Sequence, residues 1–275
     1  MESNGASQWS TELLAEDAMG YVSVLPPTIR DVREDMILTA SPLPDRMLST
    51  VARIRWGDGD VRARVAEVRD FFASAGAEEF CWWLGPSTTP GDLRAQLLAL
   101  GAVPEETGEF AAAMVLDRDP DGDMPSGVEV RMVETLDDYG RMMEILMEID
   151  ESTPPEKRAA LLAGLDERWA RYQVAGRAGF LATVDGVPAA SGQLGILDGR
   201  RALLAGGATR PWARSRGCYR ALVLARWRLM RERGIEAFVV QASDMSAPIL
   251  TGMGFRTTAT LSVLVDRSRH DVVGI

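Results

Sequence analysis

The chain is 275 residues long and 46% hydrophobic, enough apolar material for one large core or two of ordinary size. Forty acidic against thirty basic side chains leave a formal charge of −10 and no extended basic surface, which speaks against nucleic acid as a partner. No run of eighteen apolar residues occurs, and "MESNGASQWSTELLAEDAMG" lacks the basic-then-apolar order of a signal peptide, so a cytoplasmic protein with no membrane partner is expected.

Residues 1–35 are acidic and weakly periodic, and read as a loosely held leader with one short helix around "STELLAEDAM". A first half is expected over 36–118. There "DMILTASPL" reads as a strand and "DVRARVAEVRDFFASAG" as a helix whose Val61, Val65, Val68 and Phe72 share one face, closed by Gly76. "EEFCWWLGPS" is a buried strand, "TPGDLRAQLLALG" a second helix with Pro90 near its start and Gly101 at its end, and "EFAAAMVLD" a further strand. "RDPDGDMPSG" is rich in Pro, Gly and Asp, and a linker is expected over 119–127.

The second half, 128–275, opens with "VEVRMVET" as a strand, "LDDYGRMMEILMEI" as a helix and "PPEKRAALLAGLDERWARYQVA" as one or two more. "GFLATVDGVPAASGQLGIL" reads as two strands joined at Asp185-Gly186, and "RALLAGGATR" as a third. "CYRALVLARWRLMRERG" is a helix, "EAFVVQAS" a buried strand, "SAPILTGMG" a short helix and "RTTATLSVLVD" the final strand.

The two halves repeat one order of elements: a helix ending in glycine, a strand ("EEFCWWLGPSTTP", "EAFVVQASDMSAP"), a short helix ("LLALGA", "LTGMGF") and a strand ending in aspartate. The fold class is therefore α/β (α+β), a duplicated unit in which a mixed sheet is flanked by helices. Charge divides the halves. Residues 1–120 hold 10 basic and 20 acidic side chains, whereas Arg200–Arg233 holds ten arginines and one acid, Glu232. An anionic partner is expected to approach that segment.

Its centre is "ARSRGCYRAL". A helix N-terminus exposes unpaired N–H groups and partial positive charge, and Gly217 removes the side chain that would keep a pyrophosphate from the backbone. Arg214, Arg216 and Arg220 surround that seat with guanidinium groups. The preceding "LLAGGAT" leaves room for a slim ligand arm. In the first half the matching entry, "RIRWGDGDVRARV", carries Asp58 and Asp60, which would repel a phosphate. Arg226, Arg228, Arg231 and Arg233 read as a solvated helix face.

"Arg214-Ser-Arg-Gly217-Cys-Tyr219", set in this strand, loop, helix, strand, helix, "GF" order, resembles the acetyl-CoA motif Gln/Arg-x-x-Gly-x-Gly/Ala of the GCN5-related N-acetyltransferase superfamily. The resemblance covers roughly 127–267, with Tyr219 in place of the usual small last residue. It implies two tandem domains of that kind, the first a degenerate copy without the cofactor loop. It also implies acetyl-CoA as the cofactor, with CoA as product. The pantetheine arm would lie along Gly207, Ala208 and Thr209, and the pyrophosphate on Arg214, Ser215, Arg216, Gly217, Cys218, Tyr219 and Arg220.

The acid and base usual in that family are missing. The fourth strand has no glutamate, and Leu250 stands where a tyrosine falls. Substitutes for proton transfer are Tyr219, Asp244, Ser246 and Glu151, with Asp150 beside the last. Ser246 equally suits a helix cap and Asp244 a turn. Gln193 and Gln241 could orient an acceptor but cannot take its proton. His270, the single histidine, sits in a polar tail, and Cys81 and Cys218 stand far apart as packing residues, so no metal site is expected.

The leading functional expectation is an acyl-CoA-dependent N-acyltransferase moving acetyl to a primary amine of a small molecule. The first half would supply pocket walls or a dimer surface, so a homodimer is one expectation. The alternative is a non-catalytic acyl-CoA-binding sensor or scaffold.

Overall fold

Val65, Val68 and Phe72 recur at helical spacing, and in the computed structural model of the chain all three are buried on one face of the helix Val61–Ser74. The structure describes residues 9–21, 24, 26–41, 46–106, 110–149, 159, 162, 164–173 and 177–268. The chain groups into two units. The N-terminal unit comprises residues 12–114, 241–247 and 257–275, and the C-terminal unit 1–11, 115–240 and 248–256.

In chain order the elements are α1 (Thr11–Glu16), α2 (Ala18–Tyr21), β1 (Ile29–Val32), β2 (Ile37–Ala40), β3 (Thr50–Ala52), α3 (Val61–Ser74), β4 (Glu79–Leu84), α4 (Leu93–Ala99), β5 (Val103–Pro104) and β6 (Phe110–Leu116). They continue with β7 (Val128–Met132), α5 (Leu136–Ile149), α6 (Leu165–Gln173), β8 (Arg177–Val184), β9 (Val187–Ile196), β10 (Arg201–Thr209), α7 (Cys218–Glu232), β11 (Ala237–Ala242), α8 (Ala247–Thr251) and β12 (Arg256–Arg267).

In the N-terminal unit β1, β2 and β3 pair antiparallel, and β3 runs parallel to β4. The strand beside β4 comes from the far end of the chain: Ser262–Arg267 of β12 pairs antiparallel with Glu79–Leu84. One aromatic core fills this unit, with Phe72 stacked on Phe80 at 4.0 Å and Trp56 edge-on to Trp82 at 6.0 Å. Asp266 on β12 is buried and accepts hydrogen bonds from Arg69 Nη2 at 3.0 Å and Trp82 Nε1 at 3.1 Å.

The 1–35 stretch reads in sequence as loosely held with one short helix around "STELLAEDAM"; helices do form there, over Thr11–Glu16 and Ala18–Tyr21, but they are packed rather than loose. Leu14, Ala15 and Ala18 are fully buried, and the Glu16 carboxylate accepts from Ser87 N at 2.9 Å and Ser87 Oγ at 3.0 Å. Asp17 pairs with Arg55 at 2.8 Å. Two helices this short show too few turns for a periodicity to stand out in sequence.

In the C-terminal unit β7, β8, β9 and β10 form an antiparallel meander, and β11 joins β10 in parallel. Asp185 and Gly186 turn β8 into β9 with φ of 53° and 77°. Tyr139, Met142, Ile145 and Tyr172 of α5 and α6 cover one face together with Leu181 and Ala208. Alternation along the strands presents Gly192 and Gly207 to α7 on the other face. The stretch 118–127 is packed in this unit as well: Trp227 Nε1 donates to Asp119 at 2.8 Å, and Asp121 N to the Met253 carbonyl at 2.9 Å.

Candidate functional site

The strand β10 is regular as far as Ala205 and then bulges. Its partners on β9 pass from Gln193 opposite Ala205 to Ser191 opposite Ala208, so β10 holds one residue more than β9 across that interval. Gly206 absorbs the irregularity with φ of 55°. The parallel register with β11 covers only Arg201–Leu203 against Ala237–Val239, and Ala205, Gly206 and Gly207 are exposed. Backbone N–H and C=O groups on that side of the bulge are therefore open to an extended ligand.

Beyond β10, Pro211–Ala213 forms a single 3-10 turn, Arg214 is extended, and the chain enters α7 through Ser215 and Gly217 with φ of 62° and 82°. Alternation of left-handed and ordinary backbone aims successive N–H groups into one concavity, a form that suits anions. Gly217 is the N-cap of α7 and, having no side chain, offers the helix end no capping hydrogen bond. Arg214, Ser215 and Arg216 are exposed around it, and the Arg216 guanidinium stands 5.9 Å from the centre of the Trp212 ring. The first half's matching helix end is closed. There the Asp60 side chain caps α3, accepting from Arg62 N at 2.9 Å and Ala63 N at 3.3 Å.

Three neighbours shape the turn. A β-carbon at Gly217 would stand 2.7 Å from Pro125 Cγ, so Pro125 lies directly on the glycine. Arg220 Nη2 lies 2.5 Å from where a β-carbon of Gly122 would be, which places this guanidinium against the 118–127 stretch. The ring of Tyr219 covers Gly207, with Cε2 2.8 Å from the corresponding point. Cys218 is buried with Sγ 3.8 Å from the Ala213 carbonyl, and burial raises its thiol pKa, so it is a packing residue.

The other candidates are not all brought to this turn. Asp244 is exposed, and Ser246 Oγ meets the Ser243 carbonyl and hydroxyl, each at 3.3 Å. Both belong to the N-terminal unit by grouping. Gln241 donates to the carbonyls of Ala15 at 3.3 Å and Glu16 at 2.8 Å, so its amide nitrogen anchors α1 rather than an acceptor. Asp150, Glu151 and His270 lie outside the described residues. Among the described residues no group of His, Cys, Asp and Glu could hold a metal ion, and no helix is long and apolar enough to cross a membrane.

Arg226 reverses its expectation. Arg228, Arg231 and Arg233 are exposed, but Arg226 is 1% exposed, with Nε donating to the Leu222 carbonyl at 3.0 Å and Nη1 to the Gln193 carbonyl at 2.8 Å. Burial lowers its pKa to about 10. The signal was present in the sequence: Arg226 falls at helical spacing from Tyr219, Leu222 and Met230, on the stripe that faces the sheet.

No family model matches the sequence, and no curated protein is similar to it. Solved structures are similar. A GCN5-related N-acetyltransferase from Kribbella flavida superposes with a TM-score of 0.67 at 18% identity, covering 93% of this chain and 95% of that one. A tandem GNAT protein from the clavulanic acid biosynthesis pathway does so with a TM-score of 0.58 at 16% identity, covering 98% and 96%. A GCN5-related N-acetyltransferase from Sphaerobacter thermophilus gives 0.56 at 16%, covering 88% and 83%. Identity this low makes the likeness one of fold.

Proposed function

From a chain with the fold of the tandem GCN5-related N-acetyltransferases, we propose an acyl-CoA-dependent N-acyltransferase that moves acetyl from acetyl-CoA to a primary amine of a small molecule. One observation carries this reading: a bulged, exposed strand end leads into a helix whose N-cap is a glycine and whose entry is flanked by the exposed Arg214 and Arg216. Backbone amides from Arg214 to Arg220 would hold the pyrophosphate, and Gly207, Ala208 and Thr209 the pantetheine arm. The ligand supplies an activated thioester. The chain's part is to hold it rigidly beside a deprotonated amine, which alone lowers the barrier substantially.

The N-terminal half is proposed as a degenerate copy because the Asp60 carboxylate occupies the amides a phosphate would need. One acyl-CoA per chain is expected. Tyr219, Asp244, Ser246 and Glu151 are the proposed proton-transfer candidates.

Calorimetric titration with acetyl-CoA tests the reading. The expected result is one site per chain, weakened at least tenfold when Arg214 and Arg216 are both changed to alanine, with the loss largest at low salt. No binding at all would end it. Leu250, fully buried where the family's tyrosine is expected, favours a second reading as a non-catalytic acyl-CoA sensor. Binding without thiol release for any of a panel of amines would select that one.

A further inference from the structure

Tyr172 is 6% exposed and sits on α6 with its ring against Tyr139 and Trp169, centroids 5.0 and 6.0 Å apart. Its hydroxyl points at the sheet: a β-carbon on Gly179 would stand 2.8 Å from it. That hydroxyl is buried and has no hydrogen-bond partner among the described residues. The cross-strand neighbour of Gly179 is Gln193, and Gln193 in turn faces Ala205 on β10. Its side-chain amide reaches the bulge, with Nε2 2.9 Å from where a β-carbon of Gly206 would be. Two residues along β9 on the same face, Ser191 Oγ is also buried without a hydrogen-bond partner among the described residues, opposite Leu181 and Ala208.

Buried polar groups in folded proteins are nearly always paired, and an orphan is destabilising unless something pairs it. Here two orphans and one amide share a sheet face and end at the one bulge in β10. The backbone of Gln193 is held from the opposite face by the fully buried Arg226, whose Nη1 donates to its main-chain carbonyl and so fixes the point from which the side chain departs. Burial pushes the Tyr172 hydroxyl pKa well above its ordinary value, so the group keeps its proton and acts as a donor. Donors fixed in a dry site suit an oxygen that carries partial negative charge.

We infer that Tyr172 Oη and the Gln193 amide, supported by Ser191, form a hydrogen-bond-donor site for the carbonyl oxygen of the acyl group, with Arg226 as the positioning residue behind Gln193. The inference rests on the acyl-CoA reading above, because it places the end of the ligand arm at the β10 bulge. It assigns the acyl group to the α5 and α6 face, and the selectivity for acylated over free CoA to side chains rather than to the strand backbone alone.

The test needs no acceptor. Acetyl-CoA and CoA are titrated separately into the wild-type chain, Tyr172→Phe and Gln193→Leu. The wild type is expected to hold acetyl-CoA more tightly than CoA. Each substitution should lower that preference about five- to tenfold, by weakening acetyl-CoA while leaving CoA within about twofold. Tyr172→Phe removes a single unpaired oxygen, so its melting temperature should equal or exceed that of the wild type, and it carries the test if Gln193→Leu fails to fold. An unchanged ratio in folded Tyr172→Phe, or a wild type with no preference, overturns the inference and leaves the acyl-CoA reading standing. Failure of the wild type to bind either ligand removes both.

Discussion

Pro125 lies on Gly217, its Cγ 2.7 Å and Cβ 2.8 Å from the position a β-carbon there would take. The glycine thus answers two demands: a left-handed φ of 82° at the helix entry and the close approach of the stretch that precedes β7. Gly217→Ala is expected to cost about 1–2 kcal/mol from the left-handed backbone alone, and more from the contact with Pro125. Pro125→Gly removes both contacting atoms, so Gly217→Ala should cost less in a Pro125→Gly background than in the wild type, though not less than the backbone alone demands. Chemical denaturation of the wild type, the two single variants and the double variant measures this, and an equal cost in both backgrounds would show that Pro125 adds nothing.

Asp60 provides the contrasting case. Removing this cap by Asp60→Ala should destabilise the chain by about 0.5–2 kcal/mol, because the amides of Arg62 and Ala63 lose their acceptor. It should leave acetyl-CoA affinity within twofold, since the proposed seat is at Gly217. A denaturation curve and a titration on the same sample check both parts. A second site in Asp60→Ala would mean instead that the carboxylate alone keeps the first half's helix end from binding an anion.

Asp266 joins the last strand to the first half's core. Its carboxylate is buried and takes hydrogen bonds from Arg69 and Trp82. Asp266→Ala removes the carboxylate that pairs with Arg69 and the acceptor of the Trp82 indole, leaving Arg69 only the Leu100 carbonyl among the described residues, and a loss of about 3–5 kcal/mol is expected. The same geometry governs truncation. A fragment of residues 1–118 lacks β12 and leaves the β4 edge without the pairing Ser262–Arg267 provides, so it should be aggregated or unfolded by gel filtration and circular dichroism. A monomeric, cooperatively melting fragment would contradict this.

What could be read from the sequence follows from what sequence patterns encode. Val65, Val68 and Phe72 announce their helix because burial on one face imposes a period. Gly217 and Asp185-Gly186 announce turns because only a few residue types tolerate positive φ. The apolar run in "LSVLVD" identifies a buried strand but not its neighbour, so the pairing of β12 with β4 is not legible in it. Arg226 reads in sequence as part of a solvated helix face although it shares a stripe with Leu222 and Met230, and no motif singles out Tyr172. That Arg226 is fully buried, and that the Tyr172 hydroxyl has no hydrogen-bond partner among the described residues, depends on packing across elements distant in sequence.

Asp17 makes stability depend on pH in an unusual direction. Burial raises its pKa from 3.8 to about 6, with Glu16 adding to the rise and the Arg55 and Arg53 guanidinium groups opposing it. The 2.8 Å pair with Arg55 therefore offsets only part of the desolvation. An acid with a raised folded pKa binds protons more tightly in the folded state, so its contribution is full below about 3.8 and is lost as pH climbs through about 6. A shift of this size corresponds to on the order of 2–3 kcal/mol. Asp17→Asn carries no such titration. Stability of the variant minus that of the wild type should rise in the variant's favour by that amount between pH 4 and pH 7.5, with other carboxylates cancelling in the difference. Urea midpoints at four pH values measure it, and a difference that stays constant across the range would show that Asp17 is charged throughout and fully compensated by Arg55.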